Sequence, residues 1–250
     1  IYPLVPRKHI KWLFIALVLA LSIMAFFAVP KDTDDLYNYF RTLAKLRRGG
    51  FKCLRRMIEN GEEHWNLLPV CGFYFYFVSL FPNNGMLAAT TIFLAYGSMF
   101  WVLWKAAQRY EVNKWYLFLS SFFILSTYWF YDICSGVRNG LAFTLFCFFA
   151  YIELAEKKFK PLCWLGYIAM CMMHSSGILM MIIRIALLIS GKRGGKLVSV
   201  LIFFVMVVGG AFMPRLGEIT NIEYLTLISE KAERAVSTAG TYSNTQYIVN

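Results

Sequence analysis

A chain of 250 residues that is 59% hydrophobic, 18% aromatic and only 16% charged falls well below the roughly 25% charge of soluble domains. With a mean hydropathy of +0.55, it has more apolar surface than a soluble fold can hide, so a multi-pass membrane protein is predicted. The net charge of +11 is concentrated in turns between apolar runs, where membrane orientation and anionic lipid account for it; without a recognised module carrying a basic stripe, no nucleic-acid partner is expected.

Arg7, Lys8 and Lys11 precede an apolar run at residues 12–29, long enough to cross a membrane once, and Pro30 stops it. Three carboxylates follow, Asp32, Asp34 and Asp35, then Tyr37 and Tyr39. Acids there suit the first turn of a helix, where they complement the dipole. Over residues 36–58, Leu36, Tyr39, Phe40 and Leu43, then Phe51, Leu54, Met57 and Ile58, recur at helical spacing. Arg41, Lys45, Arg47, Arg48, Lys52, Arg55 and Arg56 fill the other positions, and Gly49 with Gly50 interrupts the pattern. Two short basic amphipathic helices on the membrane surface are predicted.

Further apolar runs lie at 67–81, 86–104, 115–131, 141–154, 162–173, 178–189 and 197–213, with turns at 82–85 and 191–196. By the length rule these make about eight crossings. The predicted fold is therefore all-α: a polytopic helical bundle at 1–213, with an amphipathic surface loop at 31–63. Residues 214–250 read as a polar, extracytoplasmic tail, cut from a longer chain; Leu216, Ile219, Ile222 and Leu225 suggest a surface helix in it. The six cysteines contain no CxxC pair and sit mostly inside apolar runs, as small hydrophobes do.

Residues 132–176 hold the most informative pattern: a polar turn with Arg138, an apolar helix, a basic turn at 156–160, a second apolar helix, then His174. As a helical hairpin, this stretch brings Arg138 and His174 to the same face of the membrane, whichever way it points. Orientation is harder. The basic turns around Lys105, Arg109 and Lys114, around Lys157, Lys158 and Lys160, and around Lys192, Arg193 and Lys196 belong on the cytoplasmic side, leaving Arg138 and His174 outside. Counting back two crossings then puts the Asp34 loop inside, unless a re-entrant or doubled segment lies within residues 65–131.

Arg138 is the only basic residue between Lys114 and Lys157. It either snorkels to the interface or, at a helix entrance, forms an anion site suited to phosphate. Gly136 and Gly140 around it permit close backbone approach. His174 is either a structural donor or a group that accepts a proton or binds phosphate. Arg184 interrupts an apolar run about 9 Å from its start and needs a partner or water, which makes it a second candidate for holding negative charge. The three histidines, His9, His64 and His174, have no ligand-pair spacing, so no metal is expected.

Three segments in order carry a resemblance: Asp34-Asp35-Leu36-Tyr37-Asn38-Tyr39, Gly136-Val137-Arg138-Asn139-Gly140-Leu141-Ala142, and the exit ending His174-Ser175-Ser176. Together they resemble the EpsG family of exopolysaccharide polymerases, grouped with Wzy-type enzymes. The chain departs from the pattern in having Asp32 where a glycine is common, and a helix before the first run and several after the last are usual in the family. The resemblance implies an enzyme of the bacterial cytoplasmic membrane that joins lipid-linked oligosaccharide repeat units carried on polyprenyl pyrophosphate, needing no cofactor. It assigns Arg138, with Arg184, to the pyrophosphate and His174, Asp34 and Asp35 to catalysis. Tyr37, Tyr39, Gly136, Asn139, Gly140 and Ser175 support them. Membrane lipids and other polysaccharide-assembly proteins are the implied partners. A flippase-like transporter of lipid-linked oligosaccharide and a lipid-dependent enzyme adding single sugars are the alternatives.

Overall fold

The computed structural model describes residues 6–32, 34–157, 160–190 and 200, and every regular element among them is a helix. In order they are α1 (Arg7–Phe26), α2 (Asp35–Glu59), a single 3-10 turn (Glu62–His64), α3 (Pro69–Ser79), α4 (Gly85–Arg109), α5 (Lys114–Thr127), α6 (Phe130–Ser135), α7 (Val137–Leu154), α8 (Lys160–Cys171) and α9 (Ser176–Ser190). The chain divides into two compact units after Met180. The first holds α1 to α8 and the start of α9; the second holds the rest of α9. The predicted run at 197–213, the polar tail at 214–250 and the turn at 191–196 lie outside the described residues, Val200 apart.

Among the described residues, three helices are long and apolar enough to cross a membrane: α1 with 20 residues, α4 with 25 and α7 with 18. At a rise of 1.5 Å per residue they reach about 30, 37 and 27 Å, against a hydrocarbon core of about 30 Å. They form the centre of the first unit, α1 against α4 and α4 against α7, with α8 closing on α7. Aromatic contacts fill the seams: Phe14 with Phe100 at 4.9 Å, Trp101 with Phe148 at 5.0 Å and Phe146 with Tyr167 at 4.4 Å. Large apolar side chains such as Trp12, Ile23, Phe122 and Phe123 stay exposed, as a lipid-facing surface requires.

The direction of each helix follows from contacts at its ends. The Arg7 guanidinium donates to the Ala107 carbonyl at 2.9 Å, whereas Gly85 lies against the Phe26 carbonyl, so α1 and α4 are antiparallel. Arg109 bonds the Ala155 carbonyl, which puts the C-terminal ends of α4 and α7 together. The first unit thus has an Arg109 end and an Arg138 end. A Cβ at Gly85 would sit 2.1 Å from the Phe26 carbonyl oxygen, a backbone atom that cannot swing away. Gly85→Ala is therefore expected to lower stability by about 1–3 kcal/mol through forced separation of α1 from α4, read as a lower unfolding midpoint of the purified protein.

Two sequence expectations are corrected here. The run at 67–81 is not a crossing: it forms α3, of 11 residues, about 16 Å long. Helix α3 lies beside α2, with Tyr39 on Phe75 at 5.0 Å and Gly72 against Leu54 and Trp65. Arg47 on α2 ties down the exit by donating to the carbonyls of Ser79 and Phe81, at 3.3 and 3.1 Å, and to Asn84 Oδ1 at 3.1 Å. The excursion from Phe26 through α2 and α3 thus starts and finishes at the Arg138 end. That removes the conflict in orientation: the Asp34 loop shares an end with Arg138. The run at 115–131 is also not one helix; extended backbone at Tyr128 and Trp129 separates α5 from α6, and the Tyr128 carbonyl accepts from the Tyr96 hydroxyl at 2.5 Å.

Helix α2 has the predicted basic amphipathic pattern, burying Leu36, Tyr39, Leu43, Leu46, Leu54 and Met57. The interruption expected at Gly49 and Gly50 is present: the backbone at Gly50, with φ of 59° and ψ of −154°, is not helical and divides α2 into two helical segments joined by a kink. The predicted polar turn at 132–140 is mostly helical too, broken only at Gly136 between α6 and α7. The α7–α8 hairpin forms as expected and is tied near the Arg109 end by Glu153, whose buried carboxylate accepts from Trp164 Nε1 at 3.1 Å and the Tyr167 hydroxyl at 2.7 Å. The six cysteines are free thiols.

Candidate functional site

At the Arg138 end, three distant segments are joined by side-chain hydrogen bonds. The first joins α2 to α7: Arg138 Nε donates to the Tyr39 hydroxyl at 3.0 Å, with the guanidinium carbon 5.3 Å from the centre of the Tyr39 ring. Tyr39 is buried among Phe75 and the α2–α3 layer, and this burial pushes its hydroxyl up to about 12, against the opposing pull of the Arg138 charge. The phenol is therefore neutral, accepts from Arg138 and keeps a proton to donate. Arg138 is half-buried, and no carboxylate among the described residues lies within ion-pair distance of it. With Nε engaged by Tyr39, its two terminal amino groups are the ones that can form a fork.

The second link holds the Asp34 loop to α6. Asp34 stands at the N-cap position of α2, yet its carboxylate does not cap that helix. It accepts from the Tyr131 hydroxyl and from the Lys31 amide, the latter at 2.7 Å. The Tyr131 hydroxyl first, then the Lys31 amide, hold the Asp34 carboxyl below the usual carboxylate range. A carboxyl depressed in this way contributes its tie fully above the ordinary carboxylate range and loses it as pH falls through the lowered value. In Tyr131→Phe the main cause is removed, so any activity that depends on ionised Asp34 is expected to fail at higher pH than in the wild type. The acid limb of a pH–rate profile measures this.

The third link closes the hairpin. Ser176 Oγ donates to Asn139 Oδ1 at 3.0 Å and lies 2.7 Å from His174 Nδ1, while the Ser176 amide donates to the same Nδ1 at 3.2 Å. An amide N–H only donates, so Nδ1 accepts, and a neutral His174 carries its proton on Nε2. His174 thereby satisfies an otherwise orphaned N–H in the first turn of α9. The fold-back that the sequence predicts for Arg138 and His174 is realised through Asn139, the residue after Arg138.

The remaining predicted residues are distributed as follows. Asp35 and Tyr37 are exposed in the first turn of α2. A Cβ at Gly136 would come within 2.7 Å of the Asp132 carbonyl oxygen, and one at Gly140 within 3.2 Å of Ile133, so both glycines serve the tight junction of α6 on α7. Ser175 is buried; its neighbour Ser176 makes the bonds to His174 and Asn139. Arg184 is buried on α9 beyond Met180, in the second unit. Sequence reasoning missed Tyr131 and Ser176. Tyr131 lay inside an apolar run with nothing to mark it, whereas Ser176 was already in the quoted His-Ser-Ser exit and a helix start two residues after a histidine could have singled it out. Among the described residues, no three His, Cys, Asp or Glu side chains converge as metal ligands.

The family model for the EpsG family matches residues 9–250, nearly the whole chain and all three linked segments. The chain belongs to the EpsG family. Its membership and its apolar helices make it a membrane protein of polysaccharide biosynthesis, in a family associated with exopolysaccharide polymerase activity. No curated protein and no solved structure matches the chain.

Proposed function

We propose that the protein polymerises oligosaccharide repeat units carried on polyprenyl pyrophosphate, at the outer face of a bacterial cytoplasmic membrane, with the Arg138 end outward. The observation that carries this reading is Arg138: a half-buried guanidinium, held by a neutral phenol, with no carboxylate among the described residues within ion-pair distance. A cation in that position at a membrane boundary is costly unless an anion meets it. Its terminal amino groups and the N-terminal turn of α7 suit the paired oxygens of a pyrophosphate.

The reaction joins two chains. A hydroxyl of the acceptor sugar attacks the anomeric carbon of the donor; a new glycosidic C–O bond forms while the bond from that carbon to pyrophosphate breaks. The polyprenyl pyrophosphate leaves with the electron pair, and the hydroxyl proton goes to a base. Arg138 stabilises the charge that develops on the leaving group. His174, whose Nδ1 is engaged by the Ser176 amide, offers Nε2–H to a phosphate oxygen rather than taking the proton. Asp34, held ionised by Tyr131, or the exposed Asp35 is the base. Tyr39 aligns the guanidinium, and Asn139 and Ser176 orient the imidazole. In this reading the crossings of the first unit are α1, α4, α5 with α6, α7 and α8, while α2 and α3 lie on the outer face, against the acceptor chain and the lipid headgroups.

Deletion of the gene in a polymer-producing host tests this reading by what accumulates. Complete single repeat units on the outer leaflet are expected. Complete units retained on the inner leaflet would identify a flippase-like transporter instead, and incomplete units would identify an enzyme that adds single sugars.

A further inference from the structure

At the opposite end of the first unit, a groove of about 840 Å³ runs between α1, α4 and α7. It extends along α4 from Phe93 to Lys105, about 18 Å at helical rise, close to the depth of one leaflet of a hydrocarbon core about 30 Å thick. Its floor is apolar, with Phe93, Trp101 and Phe148 around Gly97. Its mouth is not: Lys11 on α1 and Lys105 on α4 both line it, brought to one end by the antiparallel packing of those helices. Lys105 stands 5.8 Å over the Trp101 ring, and tryptophan is enriched where helices meet lipid headgroups. Among the described residues, neither lysine has a carboxylate within ion-pair distance.

We propose that this groove is a binding site for an anionic glycerophospholipid of the leaflet at the Arg109 end. The phosphate sits on Lys11 and Lys105, and one acyl chain runs past Trp101 toward Phe93. A single-leaflet depth fits a phospholipid chain. A lipid-linked sugar whose pyrophosphate is held by Arg138 would enter from the other end, so this site is separate from the one described above. A Cβ at Gly97 would meet only Val18, at 3.8 Å, so a larger side chain there has open groove to grow into.

The test is lipid retention by the full chain purified in detergent, counted by native mass spectrometry, with phosphatidylglycerol, phosphatidylcholine of the same acyl chains, and polyprenyl phosphate as probes. Phosphatidylglycerol is expected to be retained on the order of tenfold better than phosphatidylcholine. The double variant Lys11→Ala, Lys105→Ala should erase that preference, Lys11→Arg with Lys105→Arg should keep it, and Gly97→Phe should lower retention of both phospholipids. The proposal is overturned by equal retention of the two phospholipids, by a preference that survives the double alanine variant or is lost in the double arginine one, by Gly97→Phe retaining lipid as the wild type does, or by polyprenyl phosphate displacing phosphatidylglycerol at equal concentration. Because the readout is lipid retention, none of these results bears on polymer formation.

Discussion

Arg138→Lys is expected to cut the rate of polymer formation on the order of a hundredfold although it conserves the positive charge. The reason is geometric. Arginine presents Nε and two terminal amino groups in one plane: Nε is bonded to the Tyr39 hydroxyl at 3.0 Å, which leaves the two terminal amino groups as a fork for the pyrophosphate proposed above. A lysine ammonium is a single point that cannot hold Tyr39 and both phosphate oxygens in fixed directions. Arg138→Ala removes the charge as well and should cost about 10²–10³-fold or more, the usual effect of deleting a donor aimed at charge that develops in the transition state. Initial rates with purified protein in vesicles and lipid-linked repeat units measure both effects. A lysine variant that polymerises at the wild-type rate would show that arginine is there for charge alone.

The second large effect concerns Tyr39, which serves packing and alignment at once. Tyr39→Ala is expected to destabilise the protein by about 3–5 kcal/mol, because it empties a buried aromatic site against Phe75 in the α2–α3 layer. Tyr39→Phe keeps the ring and its face toward Arg138 and loses only the hydroxyl, so stability should fall by about 1 kcal/mol. Polymer formation should nonetheless drop in both variants, since neither can accept from Arg138 Nε. Unfolding midpoints and rates measured on the same preparations separate the two roles. Full activity in the folded Tyr39→Phe protein would show that the ring alone positions the guanidinium.

How much of this was legible in the sequence depends on the range of each interaction. Helices α1, α4, α7, α8 and α9 were readable from apolar run length and from the turn residues between them. The coming together of Arg138 and His174 was readable as well, because two apolar helices joined by the short charged turn at 156–160 have only one compact arrangement. The amphipathic character of α2 followed from the spacing of Leu36, Tyr39 and Leu43 against its arginines and lysines. The length rule went wrong at residues 67–81, where composition resembles a crossing but Pro69 and the turn at 82–85 leave room for 11 helical residues. It also overlooked the break at Tyr128 and Trp129, since aromatic residues carry no turn signal.

What the sequence determined by itself, then, was class and local order: an all-helical membrane chain, a basic amphipathic helix after the first long apolar run, and a hairpin that returns His174 to the end that holds Arg138. The tertiary structure decided which end the Asp34 loop occupies. That choice rests on α3 packing along α2 and on Gly85 meeting the Phe26 carbonyl. It also joined the site across pairs 97 and 99 residues apart, Asp34 with Tyr131 and Tyr39 with Arg138. Hydrophobic periodicity reports only which face of a helix is apolar. Which distant hydroxyl meets a given charge is set by the packing of whole helices, and no local pattern encodes it.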